Sequence, residues 1–173
     1  MARGVEQETK FVLDRLRAPI AASWLTACCR PDADHPDNRV TSIYFDTPDG
    51  RALAEKVNSD FLKTKVRLRW YGDGRSGQPA GSAMLEVKRR IGRGRRKLRV
   101  DSGWSGERAA AAALDDPALA RLPLRLVAAG LPGCRTLRPL VRIAYRRRRW
   151  VDPASGARVC LDSDILVEGI RPA

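Results

Sequence analysis

Histidine is nearly missing: the 173-residue chain has one, His35. A Ser-His-Asp or Cys-His catalytic set therefore has almost nothing to build on. The four cysteines, Cys28, Cys29, Cys134 and Cys160, show no Cys-x-x-Cys spacing, so a zinc site is not expected. They read as small apolar residues, Cys28 and Cys29 on a helix and Cys160 in a strand. There is no Gly-Lys-Ser/Thr P-loop, which excludes a P-loop NTPase. Aromatics make up only 6% of residues, too few to support a stacking platform for single-stranded bases. No apolar window is long enough to span a membrane, and the first residues lack the apolar stretch of a signal peptide. A reducing, cytoplasmic location is the default expectation.

Acidic residues are also outnumbered, with 20 Asp and Glu against 33 Lys and Arg, a formal net charge of +13. Such an imbalance favours an anionic partner. Most of it comes from one stretch. Phe61 to Val100 holds thirteen cations against Asp73 and Glu86, a net +11. Within Lys63-Thr-Lys65-Val-Arg67-Leu-Arg69-Trp70-Tyr71, cations alternate with apolar residues. Successive side chains of a strand point to opposite faces. Lys63, Lys65, Arg67 and Arg69 thus share one face, and Val66, Leu68 and Trp70 the other. Adjacent cations repel unless something anionic sits among them, and a run of phosphates is the natural candidate.

The same alternation recurs along the chain. Val5 to Leu13 reads as a first strand offering Glu6, Glu8 and Lys10. Arg39 to Phe45 is a strand, followed by a turn at Asp46-Thr-Pro-Asp-Gly50 and a short helix. Ser82 to Ile91 offers Glu86 and Lys88, and Arg95 to Asp101 offers Lys97 and Arg99. Leu137 to Trp150 is a long strand on which Arg147 alternates with Val141, Ile143 and Tyr145. Ala157 to Asp164 pairs back and offers Arg158, Asp162 and Asp164. Helices are expected over Arg15 to Cys29 and, in two short pieces, over Ser105 to Gly130. A charged strand face is ordinarily solvated. Agreement over five strands argues instead for an α+β fold: one antiparallel barrel or tunnel with a wet polar lumen and inserted helices. There, cations would clamp phosphoryl oxygens and carboxylates would hold a divalent metal. The run Arg146 to Arg149 leaves nonspecific nucleic-acid binding as a separate reading.

Six segments carry a family resemblance. Glu6-Gln-Glu8-Thr-Lys10-Phe11 resembles the E-x-E-x-K opening of the triphosphate tunnel metalloenzymes. Ser42-Ile-Tyr-Phe-Asp-Thr-Pro48, Lys65-Val-Arg-Leu-Arg-Trp-Tyr-Gly72 and Leu85-Glu-Val-Lys88 together resemble the VTC (vacuolar transporter chaperone) domain, the polyphosphate polymerase branch of that CYTH-like superfamily. Pro139 to Tyr145 with Arg147, then Arg158-Val-Cys-Leu-Asp162, is similar to the paired late strands of that domain. The resemblance covers nearly all of residues 1–173, read as one domain.

It implies a tunnel that binds polyphosphate, ATP or another triphosphate with Mg²⁺ or Mn²⁺, with no specific nucleic acid. Lys10, Arg67, Arg69, Lys88, Lys97, Arg147 and Arg158 match the family's phosphate-binding positions; the alternation adds Lys65 and Arg99. Glu6, Glu8, Glu86, Asp162 and Asp164 are the metal candidates. In the polymerases the γ-phosphate passes to a growing polyphosphate chain. The family's further Glu-x-Lys strand has no counterpart before Ala173. This implies an incomplete barrel whose open edge invites a second copy. The same fold is also compatible with triphosphate hydrolysis, as in the CYTH branch, or with a non-catalytic polyphosphate or inositol-phosphate sensor.

Overall fold

The computed structural model describes residues 8–58, 60–91 and 94–169. Its contacts divide into two compact units, Met1–Pro36 with Arg149–Leu161, and Asp37–Arg148 with Asp162–Ala173.

The smaller unit is built on helix α1, Arg17–Cys28. Asp14 starts it, its Oδ1 accepting from the backbone N–H groups of Leu16 and Arg17 at 2.9 and 2.7 Å. Pro31 follows the helix end, where it cannot continue the ladder. A two-residue strand β1, Arg30–Pro31, pairs with Trp150 and Val151. Among the described residues the expected first strand, Val5 to Leu13, is not found. Residues 8–13 have no strand hydrogen bonding. Phe11 is 82% and Val12 100% exposed, so this alternating segment has no neighbouring ladder to pair with. Glu6, expected on that strand, lies outside the described residues.

The larger unit is a meander. β2 (Asp37–Asp46), β3 (Leu62–Asp73), β4 (Pro79–Ile91) and β5 (Gly94–Ser105) run antiparallel in sequence order. β6 (Arg138–Val151) pairs with the free edge of β2, and β7 (Arg158–Glu168) pairs with β6. The antiparallel sheet curls into a half-barrel, which with the helices makes the fold α+β, as expected of a tunnel-like chain. Irregular register at Tyr44/Phe45, Arg69/Tyr71 and Ala83/Met84 accompanies the curl, since a bulge adds local twist.

Alternation sorts the two faces. Ile43, Phe45, Val66, Leu68, Trp70, Leu85 and Val87 are at most 3% exposed and form the core face. The chain between β5 and β6 covers it. Three short helices, Gly106–Ala111 (α3), Pro117–Arg121 (α4) and Leu124–Ala128 (α5), bring Ala109, Leu119, Leu122 and Leu126 onto the sheet. The expected break near Pro117 is present, and Asp116 caps α4 there by accepting from Ala118 N–H. The other short helix, α2 (Arg51–Val57), follows a glycine in the left-handed region, Gly50 at φ 70°. Asp46, 4% exposed, ties α2 to the end of β2. Its carboxylate accepts from Thr47, Ala52 and Leu53 N–H at 2.8, 2.8 and 3.0 Å. Among the described residues no helix is long and apolar enough to cross a membrane.

Candidate functional site

The other face of β2–β5 carries the charge. Register places Arg67 opposite Glu86 and Lys65 opposite Lys88 across β3–β4; across β4–β5, Glu86 faces Arg99 and Lys88 faces Lys97. On β2, Ser42 stands opposite Arg69 and Tyr44 opposite Arg67. Around Glu86, six cations, Lys65, Arg67, Arg69, Lys88, Lys97 and Arg99, thus meet two carboxylates, Glu86 and Asp101, a local excess of four positive charges; Lys63 and Arg90, opposite each other, continue the same parity. Asp101 is turned to the backbone, accepting from Gly103 N–H at 2.9 Å.

Glu86 is the hub. Its side chain is 1% exposed. Oε2 accepts from Arg67 Nε and Nη2 at 2.9 and 2.6 Å. Oε1 lies 3.2 Å from Lys97 Nζ and 3.3 Å from Arg99 Nε, close enough for ion pairing although it has no directed hydrogen bond. Burial alone would raise the carboxyl pKa. Arg67 and then Lys97 outweigh that and bring it from the ordinary 4.5 to about 2. Arg67 also donates to Tyr44 Oη at 3.3 Å. Burial works against the Tyr44 phenolate, but Arg67, Arg69 and Lys65 bring its pKa below the ordinary value.

Arg69, 7% exposed, is held without a carboxylate among its hydrogen-bond partners. It donates to Ser42 Oγ at 2.9 Å and to Tyr145 Oη at 3.3 Å. Tyr145 carries the arrangement onto β6, where the Arg147 guanidinium lies 5.1 Å from its ring centre. Arg147 forks onto both oxygens of Asp162 at 2.6 and 2.7 Å. Lys88 is exposed and makes no ion pair with a described carboxylate. Burial of its stem, then Arg67, Lys97 and Arg69, lower its pKa, while Glu86 pulls the other way.

The structure therefore gathers Lys65, Arg67, Arg69, Glu86, Lys88, Lys97 and Arg99 on one face, with Arg147 and Asp162 reached through Tyr145. Lys10 and Glu8 belong to the smaller unit, where they form an exposed pair at 3.4 Å. Arg158, at the start of β7, also belongs there. Asp164 has φ 52°, the left-handed region, so the alternation read from Arg158 does not run through it.

Among the described residues no group of three His, Cys, Asp or Glu is placed to hold an ion. Glu86 and Asp162 already have cations on both oxygens, a donor set that does not fit a resident metal. Ser42, Tyr44 and Tyr145, which orient the arginines, went unassigned in the sequence reading. The signal for Ser42 and Tyr44 is their shared parity in Ser42-Ile-Tyr44.

The Glu86 shift sets a pH dependence. A carboxylate with a depressed folded pKa contributes stability above its unfolded pKa and loses it as pH falls through the folded one. Glu86 should thus contribute fully above pH 4.5 and progressively less down to about pH 2. Urea melts should show the midpoint falling across that window in wild type and flattening in Glu86→Gln. Parallel curves would count against it.

A basic face of this kind, with a buried carboxylate held ionised by three cations, suits an anionic ligand. The family comparison agrees. A family model described as VTC domain matches residues 5–109, more than half of the chain, and the chain belongs to that family. A search among curated proteins gave no match. Membership links the chain to polyphosphate-related function.

Proposed function

We propose that this chain binds a polyphosphate chain or nucleoside triphosphate along the charged face of β2–β5. The observation that supports it is the local excess of four positive charges around Glu86 on that face. Lys65, Lys88, Lys97 and Arg99 are exposed, Lys97 and Arg99 with their heads also on Glu86, while Arg67 and Arg69 are more buried and form a fixed cationic floor. Charge-assisted bonds to phosphoryl oxygens are the strong kind, and a linear run of phosphates matches cations spaced along adjacent strands. Mg²⁺ or Mn²⁺ would enter with the triphosphate as its counter-ion rather than on a protein ligand set.

Family membership favours a second step on the same site. The γ-phosphoryl group of ATP passes to the terminal oxygen of a polyphosphate chain and ADP leaves. The alignment and charge neutralisation it needs are what a fixed cationic floor supplies. Incubation with ATP and Mn²⁺, with the products resolved as phosphate, pyrophosphate, tripolyphosphate and longer chains, tests it. Polyphosphate growth with ADP release is expected. Phosphate release alone would identify a hydrolase, and tripolyphosphate binding without turnover a sensor.

Lys88 gives a binding signature. Its pKa is lowered in the free protein, so an adjacent phosphate should raise it and draw in a proton as pH approaches the lysine range. Calorimetry in buffers of different ionisation enthalpy should show greater proton uptake by wild type than by Lys88→Met. Equal uptake would show that Lys88 does not meet the ligand.

A further inference from the structure

The reverse side of the same strands carries a pocket of about 380 Å³ within the larger unit. That volume falls in the range of small-molecule sites, about 300–1,000 Å³. Its floor is apolar, with Phe45, Val66 and Val87 from the sheet and Leu131, Cys134 and Leu137 from the segment before β6. Val66 and Val87 stand next in sequence to Arg67 and Glu86 but point to the opposite face. The pocket is therefore separate from the phosphate face.

One wall breaks the pattern. Along β4 the core-facing positions run Leu85, Val87, Arg89. Arg89 thus puts a guanidinium at the rim of an apolar pocket. It makes no ion pair with a described carboxylate, and register sets it opposite another cation, Arg96. Arg51, also at the rim, lies 3.5 Å from Glu55, whose other oxygen accepts from Thr64 N–H at 2.8 Å. The lining carboxylates are likewise committed: Glu55 to Arg51 and Thr64, and Asp46 to the start of α2. Of the two lining cations, Arg89 is the one without a carboxylate partner; Asp46 holds its charge against backbone N–H groups of α2. An apolar floor with a cation at its rim that lacks a carboxylate partner is complementary to an amphiphile with one anionic head.

We propose that this pocket binds a medium-chain carboxylate, its chain over Val66 and Val87 and its head on Arg89. Decanoate below its micelle concentration is the probe, with decanol as the neutral partner, both titrated into the full chain by calorimetry. Decanoate should bind at one site. Arg89→Ala should weaken it by about tenfold or more, the effect of losing one charge-assisted contact. The same variant should leave decanol unchanged and tripolyphosphate affinity within about twofold. Ala52→Trp, which places bulk in the pocket wall, should block decanoate and decanol alike; its thermal midpoint, compared with wild type, checks that it folds. Absence of saturable decanoate binding, equal affinity in wild type and Arg89→Ala, or undiminished binding in a folded Ala52→Trp protein would each overturn the proposal. So would a parallel loss of tripolyphosphate binding in Arg89→Ala, because Arg89 would then serve the phosphate face. The titration does not use phosphate in its primary arm, so its outcome is independent of the proposed phosphate site.

Discussion

Replacing Lys88 and Lys97 together by methionine is expected to weaken tripolyphosphate binding by about a hundredfold while the fold stands. Each charge-assisted contact is worth roughly 1.5–3 kcal/mol, so two lost contacts exceed a factor of one hundred. The two lysines face each other across β4–β5, on the solvent side of the cationic face. Neither is needed to hold the sheet. Lys97 is 52% exposed at its side chain and is one of three cations on Glu86, leaving Arg67 and Arg99 in place. Removing Lys88 relieves repulsion from Arg67, Lys97 and Arg69. Wild-type affinity should also fall steeply with added salt, and less steeply in the double variant, since fewer charges remain to screen. Calorimetric affinities within threefold of each other at low salt would remove the charged face from the function. The inner pair behaves differently. Arg67→Gln with Arg69→Gln should also weaken binding by more than about tenfold. It disturbs the bonds to Glu86, Ser42, Tyr44 and Tyr145 as well, so its loss mixes binding with folding. For that reason the exposed lysines are the sharper test.

The charged face was legible in the sequence because a strand has period two and the cations mark one parity. Lys65, Arg67 and Arg69 could share a face only on a strand, and Val66, Leu68 and Trp70 confirm it from the core side. What stayed hidden depends on register. Arg67 meets Glu86 because of the length of the β3–β4 hairpin and the irregularity between Arg69 and Tyr71, neither of which alternation reveals. Alternation thus makes Glu86 a metal candidate by residue type alone, and register adds that it is the counter-ion of three cations. Asp162 and Arg147 were read separately, one for metal and one for phosphate, and the structure joins them in a single ion pair. Residues 8–13 show the opposite failure. Their alternation is real, but a strand also needs a partner ladder, and the pattern of one segment does not contain its neighbour. Arg89 left a signal that went unread, a cation at a core parity directly after Leu85 and Val87.

Glu86→Gln should be the most destabilising single change on this face, by about 3–5 kcal/mol, the usual cost of breaking a buried pair from one side. The amide keeps the shape and loses the charge. Arg67, 12% exposed at its side chain, is then left with neutral acceptors only, the amide oxygen and the Tyr44 hydroxyl, and Lys97 and Arg99 crowd it without an anion between them. The same reasoning predicts rescue. Tripolyphosphate brings the negative charge that Glu86 no longer supplies, so it should raise the thermal midpoint of Glu86→Gln by more than that of wild type at equal ligand concentration. Adding Arg67→Met to Glu86→Gln should recover part of the lost stability, because the uncompensated buried charge is gone, yet abolish the extra rescue by ligand. Urea denaturation of wild type, Glu86→Gln, Arg67→Met and the double variant, with and without tripolyphosphate, closes the cycle. If Glu86→Gln melts within about 1 kcal/mol of wild type, the carboxylate does not anchor the cations. If tripolyphosphate stabilises all four proteins equally, the phosphates do not bind over Arg67, and the ligand lies elsewhere on the chain.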